Sequence, residues 1–245
     1  MVFLDATTDP GLLDASPGLA EWAGHQAAMS GEPHFVLRRQ RPYFLLGPGD
    51  RRLPDLPSAT RWATAEGIPV FRRIGGGSLV YLDEGCLSFA HAIPCRDMAM
   101  SAGNFRQLTR PVLEGLRALG VEASFGRVAG SYCEGPWDLV AGKRKIAGTA
   151  QAIRDGFALV SGMLLVTQDG ADATRRVNDF YERAKGGRPF DPGAVTSLHA
   201  LSRGTVTMEA LALAIQACLG STKRSSFDEE DRSFVRRTLL ERRLV

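Results

Sequence analysis

Residues 131–151 read Ser131-Tyr-Cys-Glu-Gly-Pro-Trp-Asp-Leu-Val-Ala-Gly-Lys-Arg-Lys-Ile-Ala-Gly-Thr-Ala-Gln151. Gly135-Pro136 marks a loop. Strand-forming runs at 137–141 and 144–153 then flank Gly142-Lys143, a pair suited to a tight hairpin turn. A further strand is expected over 157–166, after which the pattern changes to helix over 172–185. Consecutive strands joined by short turns predict a largely antiparallel sheet, so the chain reads as α+β.

Working outward, residues 17–30 carry Leu19, Trp22 and Met29 at helical spacing and close at Gly31. Two short strand runs follow, His34-Phe-Val-Leu-Arg-Arg39 and Tyr43-Phe-Leu-Leu-Gly47, separated by Arg41-Pro42. A helix is expected over 57–67, then strands at 69–73, 78–83 and 86–94, a helix over 101–119 ending at Gly120, and a strand near 121–125. Gly186-Gly-Arg-Pro-Phe-Asp-Pro192 is the best linker signal. It divides the chain into a body, residues 1–187, and a small helical C-terminal segment, residues 188–245, in which no strand is expected. The last helix starts at Asp228-Glu-Glu-Asp and carries Arg236, Arg237, Arg242 and Arg243 later, the charge order a helix dipole favours.

The chain has 245 residues, of which 44% are hydrophobic, and a formal net charge of +3. That mild balance argues against a nucleic-acid binder. Four cysteines, Cys86, Cys95, Cys133 and Cys218, form no CxxC pair and no metal-ligand spacing with the four histidines. The N-terminus lacks a basic start followed by an apolar run, and no apolar stretch approaches the roughly 20 residues that cross a bilayer. The expectation is a cytoplasmic protein without membrane or nucleic-acid partners.

Two segments could carry chemistry. Gly75-Gly76-Gly77, preceded by Arg72-Arg73, lets a ligand approach the backbone beside two cations and suits a carbonyl, carboxylate or phosphate. A strand follows it, so it is neither a P-loop nor a dinucleotide-binding turn; a flexible turn between strands accounts for it equally well. Cys133 lies in a loop context, unlike Cys218 on its apolar helix face. A nucleophilic cysteine must be a thiolate, which a nearby cation favours. Lys145 could fold back beside it, whereas Lys143 reads as a turn residue and Arg144 points to the opposite face of the strand. A small buried hydrophobe remains the alternative role for Cys133.

Arg72-Arg-Ile-Gly-Gly-Gly-Ser-Leu-Val-Tyr81, followed by Gly142-Lys-Arg-Lys-Ile-Ala-Gly-Thr-Ala-Gln151, resembles the biotin/lipoate protein ligase family, from about residue 20 to about 200. The resemblance implies a catalytic domain with a mixed sheet and a tunnel for an acyl chain. Lys145 would contact the acyl carbonyl, and Arg73 with Gly75, Gly76 and Gly77 would line the acyl site. Tyr132-Cys-x-Gly-x-x-Asp-Leu139 is similar to the cysteine-dependent octanoyl/lipoyl amidotransferases of lipoate assembly. In that reading Cys133 and Lys145 are catalytic, and Arg72, Arg73, Gly75, Gly76, Gly77, Asp138 and Gly148 bind substrate. An octanoyl or lipoyl group would pass from a carrier, the glycine-cleavage H protein or acyl carrier protein, to a lipoyl domain of a 2-oxoacid dehydrogenase E2 subunit. No cofactor is implied for that route. The alternatives are an ATP- and magnesium-dependent lipoate ligase acting through an acyl-adenylate, and a non-catalytic acyl- or carrier-binding protein.

Overall fold

A computed structural model describes residues 1–187 and 189–245. The strands, in chain order, are β1 (Val2–Ala6), β2 (His34–Arg38), β3 (Tyr43–Leu46), β4 (Val70–Arg72), β5 (Val80–Leu82), β6 (Cys86–Pro94), β7 (Ser124–Gly126), β8 (Asp138–Ala141), β9 (Arg144–Arg154), β10 (Phe157–Leu165), β11 (Lys223–Arg224) and β12 (Arg243–Leu244). The helices are α1 (Pro10–Leu13), α2 (Ser16–Ser30), α3 (Leu56–Ala65), α4 (Ser101–Ala118), α5 (Gly170–Arg183), α6 (Leu198–Leu201), α7 (Met208–Ala217) and α8 (Glu229–Arg242).

Local chemistry explains most of these limits. Gly31 ends α2 in the left-handed region, its N–H donating to the Ala27 carbonyl. Asp169 caps α5 by accepting from the N–H groups of Ala171 and Asp172, and Asp228 opens α8 in a capping box with Asp231. Gly142 and Lys143 both have positive φ, 56° and 69°. This is the conformation that matches a two-residue turn to the twist of β8 and β9.

An eight-stranded sheet, ordered β11-β1-β2-β6-β10-β9-β8-β7, packs beside a four-stranded sheet ordered β12-β4-β3-β5. The large sheet is antiparallel from β2 to β7, and its parallel pairs lie at the β1 edge. The expected α+β architecture with a mixed, largely antiparallel sheet is thus present. Helices α4 and α7 cover one face, where Leu108, Val112, Leu211 and Ile215 join Phe35, Leu37 and Phe89. The other face is shared: α2 covers Val36, Ala90 and Leu159, and the small sheet covers Cys86, Met163 and Leu165. Register places Gly148 opposite Met163, Met163 opposite Ser88 and Ser88 opposite Arg38. Directly paired residues point to the same side of a sheet. This row therefore runs across four strands along the seam between α2 and the small sheet.

Three strands differ from the sequence reading. β1 was not expected, and β11 and β12 lie where only helices were. β11 pairs with β1, and β12 with β4. Two-residue strands carry no readable periodicity, and partners more than 170 residues away in the chain create them. Arg188, inside the expected linker, is outside the described residues. Among those residues no helix is long and apolar enough to cross a membrane.

Candidate active site

The β8–β9 hairpin brings Lys145 beneath the loop that carries Cys133. Lys145 is 1% exposed and Asp138 3%, and Lys145 Nζ lies 2.9 Å from Asp138 Oδ2. Nζ also donates to the carbonyls of Tyr132, at 2.9 Å, and Cys133, at 2.8 Å. An ammonium has three N–H donors, so every one is directed to a protein acceptor. Asp138 in turn accepts from the Gly135 N–H at 2.9 Å, tying both ends of the loop to one buried ion pair. Cys133 itself adopts φ 47°, an uncommon region for a side-chain-bearing residue. Gly148 sits at the shoulder of this pair, where a Cβ would lie 3.5 Å from Lys145 Nζ.

The glycine run folds over Cys133 from the opposite side. Ser78 N–H donates to Cys133 Sγ at 3.2 Å, and Arg73 Nη2 at 3.4 Å. Arg73 is held in place by donating to the carbonyls of Gly76, Leu45 and Ser78. Gly77 has φ 93°, and a Cβ there would lie 2.6 Å from Arg73 Nη2 and 2.8 Å from Cys133 Sγ. Only a residue without a side chain lets cation and sulfur meet. Gly76 N–H donates to the Gln151 carbonyl, and a Cβ on Gly75 would press on Ala150 at 3.2 Å, so the run is docked onto β9. Cys133 responds to these neighbours. Burial pushes its thiol up, but the charges of Arg73 and Lys145 and the Ser78 N–H hold it below the ordinary cysteine value. Burial pushes the thiols of Cys86 and Cys218 up, with no such offset.

Arg72 departs from the expected set. Strand alternation turns it away from Arg73, and its Nη2 donates to the Glu241 carbonyl at 3.0 Å. It therefore braces the C-terminal end of α8 and does not face the site.

A narrow cleft runs from Cys133 and Gly148 into the seam between the sheets. Leu45, Val80, Leu82 and Met163 give it apolar walls, while Arg38, Ser88 and Ser161 make it partly polar. A second groove opens on the other side of Cys133, bordered by Gly76, Gly77, Glu134, Pro136 and Trp137. Among the described residues, no three His, Cys, Asp or Glu side chains form a metal-binding cluster.

Two supports were not among the expected site residues. Burial pushes the Asp50 carboxyl up; it accepts from Tyr181 Oη at 2.7 Å and from Gly47 N–H at 2.9 Å. Tyr181 Oη accepts from Leu79 N–H at 3.3 Å, which fixes the residue next to Ser78. Arg38 was the other: it was read only as part of a strand, and no local pattern marks which arginine of Arg38-Arg39 turns inward.

Residues 18–220 match the model of the lipoyl protein ligase A/B catalytic domain family. The octanoyl-GcvH:protein N-octanoyltransferase of Kyrpidia tusciae is 35% identical over 210 residues, which cover 80% of this chain and 71% of that protein. Lipoate-protein ligase A bound with ATP superposes with a TM-score of 0.73 at 20% identity, covering 98% of this chain and 93% of the other. A bipartite lipoate protein ligase from Thermoplasma acidophilum gives 0.71 at 19% identity, covering 97% and 91%. These two structures share the fold. The family match takes in the glycine run, the Cys133 loop and Lys145 together, and the chain belongs to the lipoyl protein ligase A/B catalytic domain family.

Proposed function

We propose that this protein is an acyltransferase of protein lipoylation that carries an octanoyl or lipoyl group on Cys133 as a thioester. The observation that carries this reading is the position of Cys133 Sγ. It borders both the cleft and the groove, and its thiol is lowered while a guanidinium and a backbone N–H point at it. The acyl chain lies in the cleft, where each buried methylene contributes about 0.8 kcal/mol. Donor and acceptor lysines reach the sulfur from the groove. The name of the Kyrpidia relative supports the octanoylated glycine-cleavage H protein as donor, and E2 lipoyl domains are the acceptors.

The Cys133 thiolate attacks the acyl carbonyl, forming the C–S bond and placing negative charge on the carbonyl oxygen. Arg73 and the Ser78 N–H, relieved of the thiolate charge, stabilise the oxyanion. Lys145 adds its charge from below; direct contact with the oxygen requires one of its backbone carbonyl partners to give way. The C–N bond to the donor lysine then breaks, and the departing amine takes up a proton from solvent in the groove, a proton returned to solvent when the acceptor amine becomes an amide. In the second half an unprotonated acceptor lysine attacks the thioester, forms an amide and releases the thiolate. One amide replaces another, so the exchange is close to isoenergetic and needs no activating nucleotide.

The ligase reading draws on the ATP-bound structural relative. It requires a magnesium ligand set, and the carboxylates at this site are paired, Asp138 with Lys145 and Glu134 with Arg127. Intact-protein mass spectrometry after mixing with octanoylated H protein, without ATP, separates the two. A hydroxylamine-labile octanoyl adduct is expected, absent in Cys133→Ala, with transfer reduced at least about a thousandfold. Unimpaired transfer by Cys133→Ala, or modification only with free octanoate, ATP and magnesium, would establish the ligase instead.

A further inference from the structure

The cleft that takes the acyl chain does not end on an apolar floor. Arg38 is 4% exposed and lines the cleft. Its Nε donates to Ser16 Oγ at 3.2 Å and the Tyr43 hydroxyl lies beside the guanidinium, while its Nη1 finds no acceptor within hydrogen-bond geometry. Among the described residues no carboxylate forms a salt bridge to it. A buried cation normally has an anionic partner, and a buried N–H normally has an acceptor. Ser88 and Ser161, which line the cleft with it, add further polar surface. Ser88 Oγ gives its proton to Gln40 Oε1 at 3.0 Å, leaving its lone pairs for the cleft.

Geometry puts this group at the depth an eight-carbon chain reaches. Gly148, Met163, Ser88 and Arg38 are paired in one row, so Gly148 and Arg38 are three strand spacings apart, roughly 14 Å at about 4.8 Å each. Eight carbons extended from a carbonyl beside Cys133 span roughly 9 Å, because each bond of about 1.5 Å advances an extended zigzag by only about 1.25 Å. Arg38, which lines the cleft, is thus among the first groups beyond the end of such a chain.

We infer that Arg38 is a specificity-determining residue that reads the far end of the acyl chain and favours one bearing an electron-rich acceptor, the dithiolane of a lipoyl group, over an all-carbon end. A hydrocarbon terminus against the guanidinium offers it no acceptor, whereas a ring sulfur offers lone pairs to it. This deepens the acyltransferase reading and rests on it for the identity of the chain in the cleft. Its test does not depend on the thioester.

Calorimetric titration compares two neutral probes of equal shape: lipoamide, and the cyclopentyl-pentanamide in which the dithiolane ring is carbocyclic. The wild-type protein is expected to bind lipoamide about tenfold more tightly, and Arg38→Met to bind the two alike. Equal affinities in the wild type overturn the inference, and that measurement stands even if Arg38→Met fails to fold. A preference that survives in Arg38→Met also overturns it. If no Cys133 adduct forms but the Arg38-dependent preference persists, the thioester reading fails and the role of Arg38 stands.

Discussion

At Gly77 the main chain passes beside a guanidinium and a sulfur in contact, and the absence of a single carbon lets them touch. Gly77→Ala puts a methyl 2.8 Å from Cys133 Sγ and 2.6 Å from Arg73 Nη2, at φ 93°. The strain is about 1–3 kcal/mol, and Arg73 must withdraw. The expected result is a higher thiol pKa with the fold retained, read from the rate of iodoacetamide alkylation against pH. In the wild type that rate should rise to its plateau with a midpoint below the ordinary cysteine value of about 8.5. In Gly77→Ala and in Arg73→Met the midpoint should move up; an unmoved midpoint in both would remove Arg73 from the account. The stability sign follows. Between the folded and unfolded pKa values the native state holds thiolate while the unfolded state keeps its proton, so stability rises with pH through this window and levels above it.

Helix α5 positions the same sulfur from further away. Its Tyr181 is buried against the small sheet, where Oη bridges Asp50 and the Leu79 N–H. Tyr181→Phe leaves a buried carboxylate and a backbone N–H each short of a partner. This should cost about 1–3 kcal/mol in urea unfolding and should loosen the Ser78 N–H over Cys133, lowering kcat more than it raises KM. A stability loss with kcat unchanged would limit Tyr181 to a structural role. Elements of this kind were legible one at a time. The α2, α4 and α5 periodicities, the Gly142-Lys143 turn and the four strands around it all follow from local composition. That α5 reaches back to Asp50 was not legible, because the two residues are 131 apart in sequence and only packing joins them.

Across the whole molecule the segment after residue 188 closes both sheets. α7 packs on α4, and its Leu211 and Ile215 are fully buried. α8 packs on α2, where Asp231 accepts from Trp22 Nε1 at 2.7 Å and Arg242 pairs with Glu21 at 2.7 Å. Thr196 N–H donates to the Lys145 carbonyl at 2.9 Å, which connects the segment to the strand beneath Cys133. Each fully buried Leu or Ile side chain contributes about 1.5–3 kcal/mol, against a total stability of about 5–15 kcal/mol. A fragment ending at residue 187 is therefore expected to lack a cooperative thermal transition by circular dichroism. A sharp transition in that fragment would instead make the segment a separate unit.

The sequence by itself determined the α+β class and the order of most elements, because capping, turn chemistry and strand alternation act over a few neighbouring residues; the resemblance of its two motifs pointed to the family and to Cys133, Lys145, Arg73, Asp138 and Gly75 to Gly77 as candidates. Tertiary structure alone decided which arginine serves which purpose. Arg73 turns to the sulfur, Arg72 to the end of α8, and Arg38 into the cleft, since the direction and pairing of a long cationic side chain depend on acceptors brought near by folding. The same reason hid β11 and β12: a two-residue strand exists only where another strand already offers its edge.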